Sequence, residues 1–149
     1  MTQTPTPHVR SARARRGVTV LEAALVMPLL LGILFGTIEF AQVFFVRHSL
    51  QGAAREGARV GIVSDADNAD VEAAVKKSLE AAGLGKSNYK VAIVDAKTGA
   101  AVNVKNVPAG GSVAVEVSAS WSQFSVFLSG FGDWTRGELK AKTAMRREG

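Results

Sequence analysis

From Val18 to Ile38 the chain runs 21 residues with a single charge, Glu22, and after Glu39 the apolar pattern resumes as far as Val46. A helix needs about 20 apolar residues to cross a bilayer, so this stretch predicts a membrane-spanning helix. It exceeds the roughly 7–15 apolar residues of a cleaved secretory signal, and no small-residue cleavage site follows it, so a retained helix is expected. Beyond the membrane run, Val43, Val46, Leu50, Ala54, Gly57 and Val60 recur at helical spacing, with Gln42, Arg47, Gln51, Arg55 and Arg59 between them. Read as one element from Val18 to about Ile62, the helix would be about 68 Å long, twice what a bilayer needs. Pro28 removes one hydrogen bond and is expected to bend it. Glu39 is expected at the outer boundary, within reach of water.

The remaining pattern predicts a small α+β body. "SDADNADVEAAVKKSLEAAG" starts acidic, places Val71, Ala74, Val75, Leu79 and Ala82 on one face, and stops at Gly83. "YKVAIVDAKTGAAVNV" reads as two short β runs around a Lys-Thr-Gly turn. "SVAVEVSASW" alternates, with Val113, Val115, Val117, Ala119 and Trp121 on one side. "ELKAKTAM" does the same with Leu139, Ala141, Thr143 and Met145. One-sided alternation predicts an antiparallel sheet of three or four strands covered on one face by helices. Phe124, Phe127, Leu128 and Phe131 follow helical spacing before Trp134 and read as core or as a contact loop. The expected division is a basic leader at 1–17, an extended helix at 18–62 and an α+β domain at 63–149.

Charge changes the picture by its distribution. Of 18 Lys+Arg, Arg10, Arg13, Arg15 and Arg16 precede Val18, whereas all 13 Asp+Glu follow it, leaving fourteen against thirteen beyond the leader. The net charge of +5 therefore belongs mostly to the leader. The positive-inside rule places that leader in the cytoplasm and the body outside, at the periplasm or cell surface. Nucleic-acid capture through Lys86, Lys90, Lys97 and Lys105 is the weaker reading against a solvated sheet face. The chain has no cysteine, and its two histidines are His8 in the leader and His48 beside Arg47. Neither supplies a metal cluster or a nucleophile–base pair, and "GLGKS" is too short for a phosphate loop. No enzymatic activity, cofactor or metal is expected.

Two stripes of small residues suggest close helix packing. Gly32 and Gly36 form a GxxxG within the membrane run, and Ala53, Gly57 and Gly61 repeat the four-residue step beyond it. Glycine in a water-exposed helix costs about 1 kcal/mol relative to alanine, so the second stripe should pack on the chain's own domain or on another subunit. If it packs between subunits, a bulky residue at Gly57 should break complexes and spare the monomer.

"RRG" followed by "VTVLE" resembles the processing site of type IV prepilins: a basic leader, a glycine, then an apolar helix with glutamate at its fifth residue. The resemblance implies peptidase cleavage between Gly17 and Val18. Residues 15–62 are more narrowly similar to the TadE-like family, through the basic-glycine start, Glu22 with "AALVMP", Glu39, and "AAREGAR" containing Arg55, Glu56 and Arg59. It implies a non-enzymatic minor pilin or pseudopilin of a tight-adherence (Flp, type IVb) pilus system. Its partners would be membrane lipid, other pilins, the assembly platform and a prepilin peptidase. Glu22 would then pair with the new α-amine on Val18 of a neighbour. The residue after Glu22 is Ala23, where tight-adherence pilins carry an aromatic. An uncut, single-pass anchor bearing an extracytoplasmic binding domain therefore stands as the alternative.

Overall fold

The structure is a computed structural model that describes residues 11–125 and 137–147, with side chains from Val18 onward. Helix α1 spans Ser11–Gly61, beginning before the predicted start and passing through Pro28 as one element. Helix α2 spans Asn68–Ala81. Strands β1 (Tyr89–Asp95), β2 (Ser112–Ser120) and β3 (Glu138–Arg146) form one antiparallel sheet in the order β1-β2-β3. Short 3-10 turns at Val104–Asn106 and Trp121–Gln123 flank β2. The fold class is α+β: a long apolar N-terminal helix, a second helix and three antiparallel strands.

Local chemistry sets the limits of α2. Asp67 accepts from the Asp70 N–H at 3.0 Å while Asp70 accepts from the Asp67 N–H at 2.9 Å, so two orphan donors are satisfied reciprocally. At the other end Gly83 adopts φ +77°, a left-handed conformation that costs glycine little. The Leu84 N–H then bonds the Leu79 carbonyl at 2.8 Å, and both side chains are buried. That contact closes the helix end hydrophobically.

The core lies between the helices and one face of the sheet. Val46, Leu50, Ala53, Ala54 and Ala58 of α1 pack in one cluster with Val71, Val75 and Leu79 of α2 and with Val113, Val115 and Val117 of β2. β2 is the middle strand, with Val91, Val117 and Ala141 in register across the sheet. β3 keeps the predicted alternation: Ala141 is buried and Leu139, Thr143 and Met145 are half-buried, while Lys140 and Lys142 are exposed.

The approach of α1 to its neighbours depends on Gly57. A Cβ there would lie 2.6 Å from Cγ2 of Val75, 3.3 Å from Val115 and 3.4 Å from Val71. Gly61 repeats the contact less tightly, 3.3 Å from Val71 and 3.7 Å from Val113. The second small-residue stripe thus packs within this chain. A bulky residue at Gly57 would disrupt the domain itself, so it cannot separate assembly from folding.

The second β run of the predicted hairpin does not become a strand. The turn forms, with Asp95 accepting from the Lys97 and Thr98 N–H groups and Gly99 at φ +72°, but pairing is reduced to a bridge between Val94 and Ala101. The next residues are drawn into the core instead. Val104 and Val107 are buried, and Asn103 caps the 3-10 turn between them. Asn68 brackets this segment by accepting from the Val104 N–H and donating to the Val102 carbonyl. From the other side, the buried Arg147 guanidinium donates to the carbonyls of Val104, Val107 and Ser64 at 2.6, 2.8 and 2.5 Å. Phe124 packs on the core, whereas Phe127, Leu128, Phe131 and Trp134 lie outside the described residues.

Substitutions at two positions test this packing. Gly57→Ala is expected to destabilise the domain by about 1–3 kcal/mol through overpacking against Val75, and Gly57→Leu to prevent its folding. Arg147→Met strands three carbonyls and is expected to cost about 2–4 kcal/mol. Denaturant unfolding of the full chain in detergent, followed by tryptophan fluorescence, reads both; an unchanged midpoint in either variant would contradict the contact concerned.

Candidate functional site

The candidate residues that the sequence singles out lie along α1, not around a pocket. The chain divides into two compact units, residues up to Ile38 and those from Glu39 onward. In the first, the large aliphatic side chains from Val18 to Ile38 stand exposed and Phe35 is half-buried. Among the described residues, α1 is the one helix long and apolar enough to cross a membrane, and its most apolar stretch has no buried part. These properties suggest membrane anchoring. The Thr37 hydroxyl donates to the Ile33 carbonyl at 2.9 Å, so it is satisfied within the helix.

Glu22 is exposed on this bare apolar surface. At about 100° per residue, Val18, Glu22, Leu29, Gly32 and Gly36 fall within roughly 80° of arc. The carboxylate therefore shares a side with the two glycines, at each of which a Cβ would meet nothing within 4 Å. The backbone at Gly17 and Val18 is helical, six residues into an element that starts at Ser11.

In the second unit, "AAREGAR" divides by face. Ala53, Ala54, Gly57 and Ala58 are buried in the core, while Arg55 and Arg59 are exposed. Arg59 donates from Nε and Nη2 to the two carboxylate oxygens of Glu56 at 3.2 and 2.5 Å. Between exposed side chains such a pair contributes little stability.

Glu39 departs from its expected water-solvated position. It is 4% exposed and accepts a hydrogen bond from the Ser125 hydroxyl at 3.2 Å. The signal was present in the sequence, because Glu39, Val43, Val46 and Leu50 follow one helical stripe. Gln51 extends that side by donating to the Thr143 hydroxyl at 2.7 Å. Arg147 and Asn68 had no comparable signal, since their partners are backbone carbonyls and amides far away in sequence.

The candidate nucleic-acid lysines do not gather. Lys105 lies 3.4 Å from Asp67 at the start of α2, and Lys86 follows its far end, one helix length of about 21 Å away. Lys90 is on β1 and Lys97 in the turn after it. His48 is exposed on α1, and His8 lies outside the described residues. No group of three potential metal ligands comes together among the described residues.

Residues 17–59 match the family described as TadE-like protein, from Gly17, the glycine of "RRG", to Arg59, the arginine paired with Glu56. This segment is a TadE-like domain, and it ends two residues before α1 does. No curated protein and no solved structure matches the chain.

The polar contacts of the body carry a pH dependence. The Asp70 N–H, with Lys105 nearby, holds the Asp67 carboxyl below its ordinary value, and the Thr98 and Lys97 N–H groups do the same for Asp95. Glu138 is lowered by the Ser118 hydroxyl and by Lys140. A carboxyl lowered on folding stabilises above its unfolded value, and that contribution is lost as pH falls through the lowered one. The domain is therefore expected to be fully stable above about pH 5 and to lose stability progressively below about pH 4. The Asp67→Asn/Asp95→Asn double variant should show a shallower acid limb in unfolding midpoints measured from pH 7 to pH 3.

Proposed function

We propose that this chain is a minor pilin or pseudopilin of a tight-adherence (Flp, type IVb) pilus assembly and secretion system. It is a non-enzymatic, single-pass membrane protein with its basic leader in the cytoplasm and its α+β domain on the far side. The observation that carries this reading is the TadE-like segment, which coincides with an exposed apolar helix carrying one carboxylate five residues after Gly17. A buried ionised carboxylate costs about 2.5–3.5 kcal/mol at the centre of a membrane helix and less near its end. Cleavage after Gly17 would place an ammonium on Val18. Pairing of that ammonium with Glu22 of a neighbouring subunit lets two poorly solvated charges offset each other. The open face shared by Glu22, Gly32 and Gly36 would admit the neighbour's helix closely. Its partners are then membrane lipid, other pilins or pseudopilins, the assembly platform and a prepilin peptidase.

A second reading has support of its own. The backbone is helical through Gly17, so a peptidase would first have to unwind this turn, and Ala23 follows Glu22. An uncleaved chain would be a permanent anchor for an extracytoplasmic binding domain that enters no filament.

Intact mass and N-terminal sequencing of the protein extracted from its native membrane distinguish the two. A chain starting at Val18 is the expected result; a chain retaining Arg10–Gly17 would make it an uncut anchor and rule out the pairing at Val18. In a processed chain, Glu22→Gln is expected to reduce recovery in pilus-associated complexes about tenfold or more, equivalent to at least about 1.4 kcal/mol. Unchanged recovery would refute the assembly role of Glu22.

A further inference from the structure

The turn of α1 that follows the apolar span exposes three aromatic side chains. Phe40, Phe44 and Phe45 are 68%, 56% and 50% exposed, and the Phe40 and Phe44 rings stack with centroids 6.4 Å apart. At the same level the opposite side of the helix is covered, since Glu39 is buried against Ser125 and Val46 is fully buried. The α+β body thus covers one side of this segment and leaves an aromatic patch on the other. Arg47 and His48 are exposed three and four residues beyond Phe44, on the same side of the helix.

The spacing identifies what this side meets. From Val18 to Ile38 the helix rises about 30 Å, the thickness of a bilayer's hydrocarbon core. Phe40 and Phe44 then lie about 3 and 9 Å beyond that core, within or at the edge of the headgroup layer. Phenylalanine on the apolar face of an interfacial helix buries into the boundary between headgroups and acyl chains. Arg47 and His48 follow about 4–6 Å further out, where an arginine can meet lipid phosphates. The order apolar span, aromatic turn, cationic turn matches the layers of a phospholipid leaflet.

We propose that Phe40, Phe44 and Phe45 form a lipid-contacting turn of α1 that lies in the headgroup layer of the bilayer, with Arg47 and His48 facing phospholipid phosphates. The inference rests on the membrane-anchored part of the reading above and not on pilus assembly.

The chain's lack of cysteine makes single spin labels straightforward. The full chain is placed at one copy per bilayer disc of phosphatidylcholine and phosphatidylglycerol, with labels at Leu30→Cys, Phe40→Cys, Phe44→Cys, His48→Cys and Lys97→Cys. Relative collision rates with oxygen and with a water-soluble nickel chelate report depth. The expected order of the oxygen-to-nickel ratio is Leu30 highest, Phe40 and Phe44 intermediate and at least about threefold above Lys97, and His48 close to Lys97. Ratios at Phe40 and Phe44 equal to that at Lys97 would mean water, and low rates with both reagents would mean protein cover; either overturns the proposal. A nickel-accessible Leu30 would overturn the anchor reading itself. A lipid-like Leu30 beside water-like Phe40 and Phe44 would overturn only the proposed lipid-contacting turn. The labelled positions are exposed, and native-like circular dichroism of each variant verifies that the domain is folded.

Discussion

The α+β domain depends on how closely one helix can approach its neighbours. With no side chain at Gly57, the α1 backbone comes within van der Waals range of Val75, Val71 and Val115, which belong to a helix and a strand. Ala53, Ala54 and Ala58 flank that point and keep the same surface shallow. Interiors are packed to crystal-like density, so a ridge of large side chains here would have forced α1 outward and opened the core. The loss of helix propensity at Gly57 and Gly61, about 1 kcal/mol each, is offset by the burial that this approach permits.

The same helix meets two environments, and its side chains change character where they change. As far as Ile38, large aliphatic residues stand exposed around it. From Glu39 onward one side carries small and medium apolar residues into the core, while the other carries Arg47, Arg55 and Arg59. Glu39 marks the change: the carboxylate faces the domain and receives the Ser125 hydroxyl. TadE-like similarity runs across this point to Arg59. The matched segment therefore includes the part of α1 that enters the domain's core as well as an apolar span.

Regular periodicity made much of the fold legible in the sequence. The apolar run gave α1, the stripe of Val71, Val75 and Leu79 with its acidic start gave α2, and two-residue alternation gave β2 and β3. Two features were misread where non-local hydrogen bonds overrode local preference. The stretch after Gly99 has strand-like composition, but Asn68 and Arg147 hold its backbone from both sides and Val104 enters the core. Glu39 looked like a boundary carboxylate because charge suggests water, whereas it continues the buried stripe of Val46 and Leu50 and accepts from the Ser125 hydroxyl. The small-residue stripe at Gly57 was legible as packing, but the choice between the chain's own domain and another subunit was not, because a sequence does not say which surface fills a groove.

The polar groups of the domain also locate where function should be sought. Asp67 and Asp70 satisfy the start of α2, Asp95 closes a turn, Glu56 engages Arg59, and Arg147 serves three carbonyls. Each of these groups has a use inside the fold, and each lies where water or a backbone group lowers its cost. Glu22 is different: the described residues give it no such use, and its apolar surroundings make an ionised carboxylate expensive. The apolar composition of the span does not explain this carboxylate, which directs attention to the first turns of α1 and away from the sheet.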